Sequence, residues 1–242
     1  LIRWEDLNWK EFEKLVPGEY NTCFLPVGTI EAHGFTNLGT DNSIPLGICE
    51  RIADDLSAIV APLVPYGITR TLVDYPGSLT VGEETFRDYM AELLISISNW
   101  GFDKIVVMNG HGGNNSALKE AAFNVSTGTG VKIAVIHWWE AAAEVVKEVY
   151  GQRGGHAALD ETAALMAVRP DLLKQEGYND DEVYKFNPGA YVIPNPAPTI
   201  IYNEGEGFLN FDQDKAGEYF DKVCRRILAF LQDIFARWDK NL

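Results

Sequence analysis

Four short apolar runs constrain the fold of this chain most strongly: residues 22–27, 59–64, 104–108 and 131–136. Each is rich in Val, Ile, Leu or Phe and ends at Gly, Pro or a polar residue, as strands buried on both faces do. Longer stretches with helical spacing lie between them. Residues 45–56 place Leu46, Cys49, Ile52 and Leu56 on one face, and residues 83–100 do the same with Phe86, Met90, Leu93 and Ile97 before Gly101, the expected C-cap. A further helix begins over 116–123, another spans 158–168, and a long closing helix covers about 214–238. The last turns Phe220, Val223, Ile227, Leu228, Leu231 and Ile234 inward. Strands alternating with helices need crossover connections, so the pattern predicts an α/β fold with a mainly parallel sheet covered on both faces. Residues 1–242 read as one domain.

Residues 186–207 differ in character. Pro188, Pro194, Pro196 and Pro198, with Gly189, Gly205 and Gly207, exclude a helix there. The segment reads as an ordered excursion near a site or a subunit interface. Charge narrows the partners: 20 Lys and Arg against 35 Asp and Glu leave −15. A field of that sign repels phosphate backbones and anionic bilayers, so neither nucleic acid nor membrane is an expected partner. Cys23, Cys49 and Cys224 are odd in number and widely spaced, which fits buried thiols in a reducing compartment better than a disulfide framework. Leu1 to Asp6 lack a basic region followed by an apolar run, and the expected location is the cytoplasm.

The polar residues gather where strands end. The first run leads into Gly28-Thr29-Ile30-Glu31-Ala32-His33-Gly34, with Asp41 beyond it, and the third into Asn109-Gly110-His111-Gly112-Gly113-Asn114-Asn115. A third cluster, Gly154-Gly155-His156-Ala157-Ala158-Leu159-Asp160-Glu161-Thr162, opens a helix. Residues just past the carboxyl ends of parallel strands line the ligand crevice, so the first two loops are expected to meet. Any one of these histidines alone could simply cap its turn. Together, Glu31, His33, Asp41, His111 and Glu161 form a carboxylate/imidazole set suited to Zn²⁺, Mn²⁺ or Fe²⁺. Five ligands exceed what one open tetrahedral site needs, which makes a two-metal centre plausible. The Gly110-to-Asn114 loop is neither GxGxxG nor a P-loop, and GxSxG is absent, which argues against a nucleotide site and a serine triad.

These three ordered motifs, with Pro76-Gly77-Ser78-Leu79-Thr80, resemble the creatininase (creatinine amidohydrolase) family over residues 25–168. The resemblance implies a three-layer α/β/α sandwich with two divalent metals at the carboxyl edge of the sheet, zinc first and manganese or iron as alternatives. By motif matching, Glu31 and His111 would hold one metal, His33 and Glu161 the other, and Asp41 would bridge them. His156, five residues before Glu161, matches the proton-shuttling position, with a metal-activated water as nucleophile. The implied activity is hydrolysis of a small polar cyclic amide, formamide or related carbonyl compound, in a homo-oligomer. The alternatives are C–C cleavage of a polyol-derived cyclic diketone and a noncatalytic metal-containing metabolite-binding module. Asn114, Asn115 and Tyr75 are candidate substrate contacts. Trp138 and Trp139 are candidate pocket walls, their ordinary role being packing at a helix start. Two stretches depart from the family pattern: 34–41 lacks a second histidine and the proline after it, and Gly113 stands where a glutamate is expected. Both argue against creatinine itself as the substrate.

Overall fold

The computed structural model describes residues 1–177, 179–187 and 189–241. In chain order, the first half comprises β1 (Ile2–Arg3), α1 (Trp9–Leu15), β2 (Thr22–Val27), α2 (Thr40–Ile52), β3 (Ala58–Val60), α3 (Glu83–Asn99), β4 (Lys104–Asn109) and α4 (Asn115–Thr129). The second half comprises β5 (Lys132–His137), α5 (Trp138–Ala141), α6 (Ala143–Tyr150), β6 (Gly155–His156), α7 (Leu159–Val168), β7 (Val183–Lys185), β8 (Thr199–Ile201) and α8 (Gln213–Asn241). None of the described helices is long and apolar enough to cross a membrane.

Five strands in the order β1-β3-β2-β4-β5 form one sheet in which every pairing is parallel. β2 and β4 are buried along their whole lengths and pair from Thr22 opposite Lys104 to Val27 opposite Asn109. The period of two then sorts their side chains. Phe24, Val106 and Met108 enter a core shared with α2, α7 and α8, whereas Cys23, Leu25, Val27, Ile105 and Val107 enter one shared with α3 and α4. Helices on both faces of a parallel sheet make the three-layer α/β/α sandwich that the sequence predicts. All three cysteines are free and buried.

The topology also positions a crevice. From β2 the chain passes through α2 to β3 on one side, and from β4 it passes through α4 to β5 on the other. The loops leaving β2 and β4 therefore diverge at the carboxyl edge of the sheet, the place where open α/β sheets bind ligands.

Three local expectations need correction. The strand expected over 59–64 is only Ala58–Val60, because Pro62 has no N–H to donate; pairing resumes as a lone bridge between Val27 and Val64. The helix expected from Pro45 begins at Thr40, so Pro45 lies inside it and cannot bond the carbonyl one turn back, on Asp41. Gly28 and Gly110 crowd that carbonyl so closely that a Cβ on either would overlap it. Gly101 is not the cap itself. Trp100 caps α3, and Gly101 follows with φ +93°, the left-handed residue that ends such helices.

No helix forms among the described residues of 186–207, as the sequence predicts; Pro188 lies outside the described residues. The segment supplies β8, which pairs antiparallel with β6 and parallel with β7 in a second, three-stranded sheet. That sheet carries His156.

Candidate metal centre

The β2 loop brings Glu31 and His33, the first turn of α2 brings Asp41, the β4 loop brings His111, and the first turn of α7 brings Glu161. All five side chains converge at the carboxyl edge and are buried, none more than 8% exposed. Asp41 sits at the middle. Its Oδ1 lies 2.8 Å from His33 Nε2 and its Oδ2 lies 2.8 Å from His111 Nδ1. Glu31 Oε2 stands 3.5 Å from His111 Nδ1, and Glu161 Oε2 stands 3.6 Å from His33 Nε2. Two triads result, Glu31–Asp41–His111 and His33–Asp41–Glu161, and within each the ligand atoms lie within 4.8 Å of one another.

Backbone groups aim these rings. His33 Nδ1 lies 3.1 Å from the Glu31 carbonyl and His111 Nε2 lies 3.0 Å from the Ile68 carbonyl. Each ring thus donates from its outer nitrogen and turns the inner one on Asp41, which is how metal-binding histidines are held. Buried His33 Nε2 has no hydrogen-bond partner, although Asp41 Oδ1 is close. A buried nitrogen that faces carboxylates without a directed hydrogen bond fits a cation ligand, and so does the imidazole and carboxylate chemistry of the set.

Asn109, fully buried at the end of β4, holds the His111 loop. Its Oδ1 accepts from the His111 backbone N–H and its Nδ2 donates to the His111 carbonyl. Glu161 is held from the other side by the Ala157 N–H, at 2.6 Å. Ala157 has φ +52°, a left-handed conformation rarely adopted by residues with a Cβ. Strain of that kind persists where the surroundings impose it, here between His156 and the α7 turn that carries Glu161.

Electrostatics show a site built around positive charge. Burial disfavours the imidazolium of His33, but Asp41, Glu161 and Glu31 outweigh it and push its pKa up to about 10. Burial likewise opposes charge on His111, and Glu31 and Asp41 raise it to about 9. Burial lifts the Glu161 carboxyl to about 8 against the pull of His33, and it lifts Glu31 as well. Asp41, although buried, is held well below the ordinary carboxylate range by the two imidazoles. Protons on the histidines thus occupy places that divalent cations would take.

His156 stands beside this cluster. Its ring centroid lies 4.4 Å from that of His33, its Nε2 is 3.9 Å from Glu31 Oε2, and the same atom is 3.2 Å from the Ala32 carbonyl. Burial and then the neighbouring His33 lower its pKa to about 3, so the ring is neutral.

The other sequence candidates separate. Asn114 is fully buried: its Oδ1 accepts from Ile68 N–H and its Nδ2 donates to the Gly28 carbonyl, so it ties loops together rather than facing a substrate. Trp138 is fully buried in the core beside α8 and is not a pocket wall. Full burial sets both side chains among packed neighbours, away from the cavities that touch His33, His111 and His156. Asn115 accepts from Asn109 Nδ2 at 2.9 Å. Trp139 lines a cavity of about 530 Å³ that also touches His156. Tyr75 borders another beside His33, with its hydroxyl donating to the Asn195 carbonyl. Sequence reasoning missed Asn109 as a support. Its signal was a polar residue directly after the apolar run Ile105 to Met108.

The chain matches the family model described as "Creatininase: Creatinine amidohydrolase" over residues 5–229. It is 26% identical to the creatinine amidohydrolase of Pseudomonas putida over 243 residues, covering 93% of each protein. It is 30% identical to the mycofactocin precursor peptide peptidase of Mycolicibacterium smegmatis over 169 residues, 67% of this chain and 62% of that one. Identity to the 3-dehydro-scyllo-inosose hydrolase of Thermotoga maritima is 28% over 179 residues, 69% of this chain and 57% of that one. Among solved structures, a manganese creatininase superposes with a TM-score of 0.81 at 25% identity, over 97% of this chain and 98% of that one. A mutant creatininase of Zn–Zn type gives 0.82 at 23% identity, over 96% and 98%. The family match spans nearly the whole sequence, and the chain belongs to the creatininase family of hydrolases.

Proposed function

We propose that this protein is a binuclear metal-dependent hydrolase that cleaves a C–N bond in a small polar cyclic amide, formamide or related carbonyl compound. Asp41 carries the proposal: its two oxygens each face a different buried histidine, and Glu31 and Glu161 complete one triad apiece. Glu31, Asp41 and His111 would hold one divalent cation, and His33, Asp41 and Glu161 the second. Zinc and manganese, the metals of the solved relatives, are the first choices. When bound, such a pair supplies Lewis acidity toward a carbonyl and lowers the pKa of water.

The protein's own groups do the rest. His33 and His111 are oriented by the carbonyls of Glu31 and Ile68, so ligand geometry is set before substrate arrives. Burial of the cluster excludes bulk water and strengthens every local electrostatic interaction. His156 donates its Nε2–H to the Ala32 carbonyl, which leaves Nδ1 as the atom that takes up a proton. A neutral imidazole beside the cluster can accept that proton and return it to the departing nitrogen.

A second reading is hydrolytic C–C cleavage of a polyol-derived cyclic diketone at the same centre. Kinship to 3-dehydro-scyllo-inosose hydrolase supports it, as does Gly113 in place of the glutamate expected from the resemblance. The test is a turnover screen of the zinc- or manganese-loaded protein in ¹⁸O-labelled water against lactams, formamides, cyclic ureides and cyclic diketones. Cleavage of a C–N compound with one labelled oxygen in the product is expected. Labelled product from diketones alone would favour the second reading. Bound compound that never changes mass across the panel would leave a noncatalytic metabolite-binding module.

A further inference from the structure

A cavity of about 310 Å³ opens onto the cluster and is lined by Glu31, His111 and His156 together with Arg70, Tyr191 and Tyr202. Arg70 is the one Lys or Arg among the described residues that line it. Its backbone is fixed. The flanking Ile68 and Thr69 N–H groups donate to Asn114 Oδ1 at 2.9 Å and Thr80 Oγ1 at 3.1 Å, and the Thr71 carbonyl accepts from Asn195 N–H at 2.8 Å. The guanidinium gives one nitrogen, Nη2, to Glu83 at 2.5 Å. Among the described residues, Nε and Nη1 have no acceptor. As a surface ion pair, Arg70–Glu83 contributes little. Its place on the wall shared with Glu31 and His111 is what matters.

We propose that Arg70 is a specificity-determining residue that receives a carboxylate on the substrate. The proposal rests on the hydrolase reading above and adds a substrate class to it: amides that bear a carboxylate a few bonds from the scissile carbonyl. With one nitrogen on Glu83, the Arg70 guanidinium keeps Nε and Nη1 for a second carboxylate, which a neutral cyclic amide does not offer. An anionic substrate approaching a chain of net charge −15, toward a wall that carries Glu31, needs a local positive partner. The guanidinium fork matches a carboxylate in shape. The neighbouring cavity also holds cations, Lys147 and Arg153, but Glu140, Glu144 and Asp160 outnumber them there.

The test uses metal-loaded protein and two probes of similar shape, N-acetylglycine and its neutral counterpart N-acetylglycinamide, with binding measured by calorimetry and cleavage by mass spectrometry. The wild type is expected to bind the acid about tenfold more tightly, the scale of one charge-assisted hydrogen-bonded contact. Arg70→Gln erases that preference by weakening the acid alone, whereas Arg153→Gln leaves it intact. Equal or undetectable binding of the two probes by the wild type would overturn the proposal. So would a preference that survives in Arg70→Gln, which would assign the carboxylate to the cluster itself, or one lost only in Arg153→Gln. Cleavage is scored separately. An Arg70-dependent preference without cleavage of these probes would assign carboxylate binding to Arg70 and leave the hydrolase reading to the labelled-water panel above, whereas cleavage without preference would overturn this proposal and keep the hydrolase reading.

Discussion

At the scale of single residues, the two triads and His156 are expected to carry separable roles. Glu161 is a ligand candidate anchored by the Ala157 N–H on a helix whose Leu165 is fully buried in the core. Glu161→Ala is expected to lower metal content to about one equivalent or less and to cut activity at least ~100-fold, with the fold retained. Elemental analysis and circular dichroism check both halves, and full metal content in this variant would reject the assignment. His156→Ala should keep both metals and lose ~100-fold or more in kcat, the range of a general acid–base contribution. Near-wild-type turnover would remove its proton-transfer role. The candidate ligand set was legible because its members lie in or shortly after the Gly-bearing turns at 28–34, 110–113 and 154–155. The acceptors that aim those ligands were not, since the carbonyls of Glu31, Ile68 and Ala32 leave no side-chain trace. Trp138 and Asn114 misled for a related reason: polar or aromatic type shows nothing of which way a residue faces at a strand end.

At the scale of elements, the sheet order converts loop position into a site. The apolar runs marked β2 and β4 nearly to the residue, since a doubly buried strand tolerates no polar interruption. Where local chemistry competed, boundaries moved. Pro62 cut β3 short, and Pro45, a helix-start signal in the sequence, sits inside α2 because the helix reaches back to Asp41. The proline-rich segment was recognisable as non-helical, but its strand β8 depends on pairing with β6 and β7, which no local pattern reveals. Asn195 fastens this segment over the cavity: its N–H and Nδ2 donate to Thr71, and its carbonyl accepts from Tyr75. Asn195→Ala should therefore speed hydrogen exchange across 190–200 by about five- to tenfold, as expected when a side-chain bond worth about 1 kcal/mol is lost. Unchanged exchange there would show that the segment is held by other contacts.

At the scale of the whole molecule, stability and metal content are linked. Of the five buried candidate ligands, His33, raised to about 10, His111, raised to about 9, and Glu161, raised to about 8, hold protons near pH 7 when no cation is present. Cation uptake must displace those protons, so affinity should be stronger at pH 8.5 than at pH 6.5, and binding should release protons at pH 7. Calorimetry in two buffers of different ionisation enthalpy reads that release, and binding without proton release would contradict this picture. Because the candidate ligands lie on the loops after β2 and β4 and on α2 and α7 of one scaffold, metal binding to the folded state should also raise Tm, and chelation should lower it. The most direct test of the central claim is a crystal structure of the zinc- or manganese-loaded protein with anomalous data at the metal edge. Two peaks on either side of Asp41 are predicted, one beside Glu31 and His111 and the other beside His33 and Glu161. A single peak, or metal bound away from Asp41, would contradict the account.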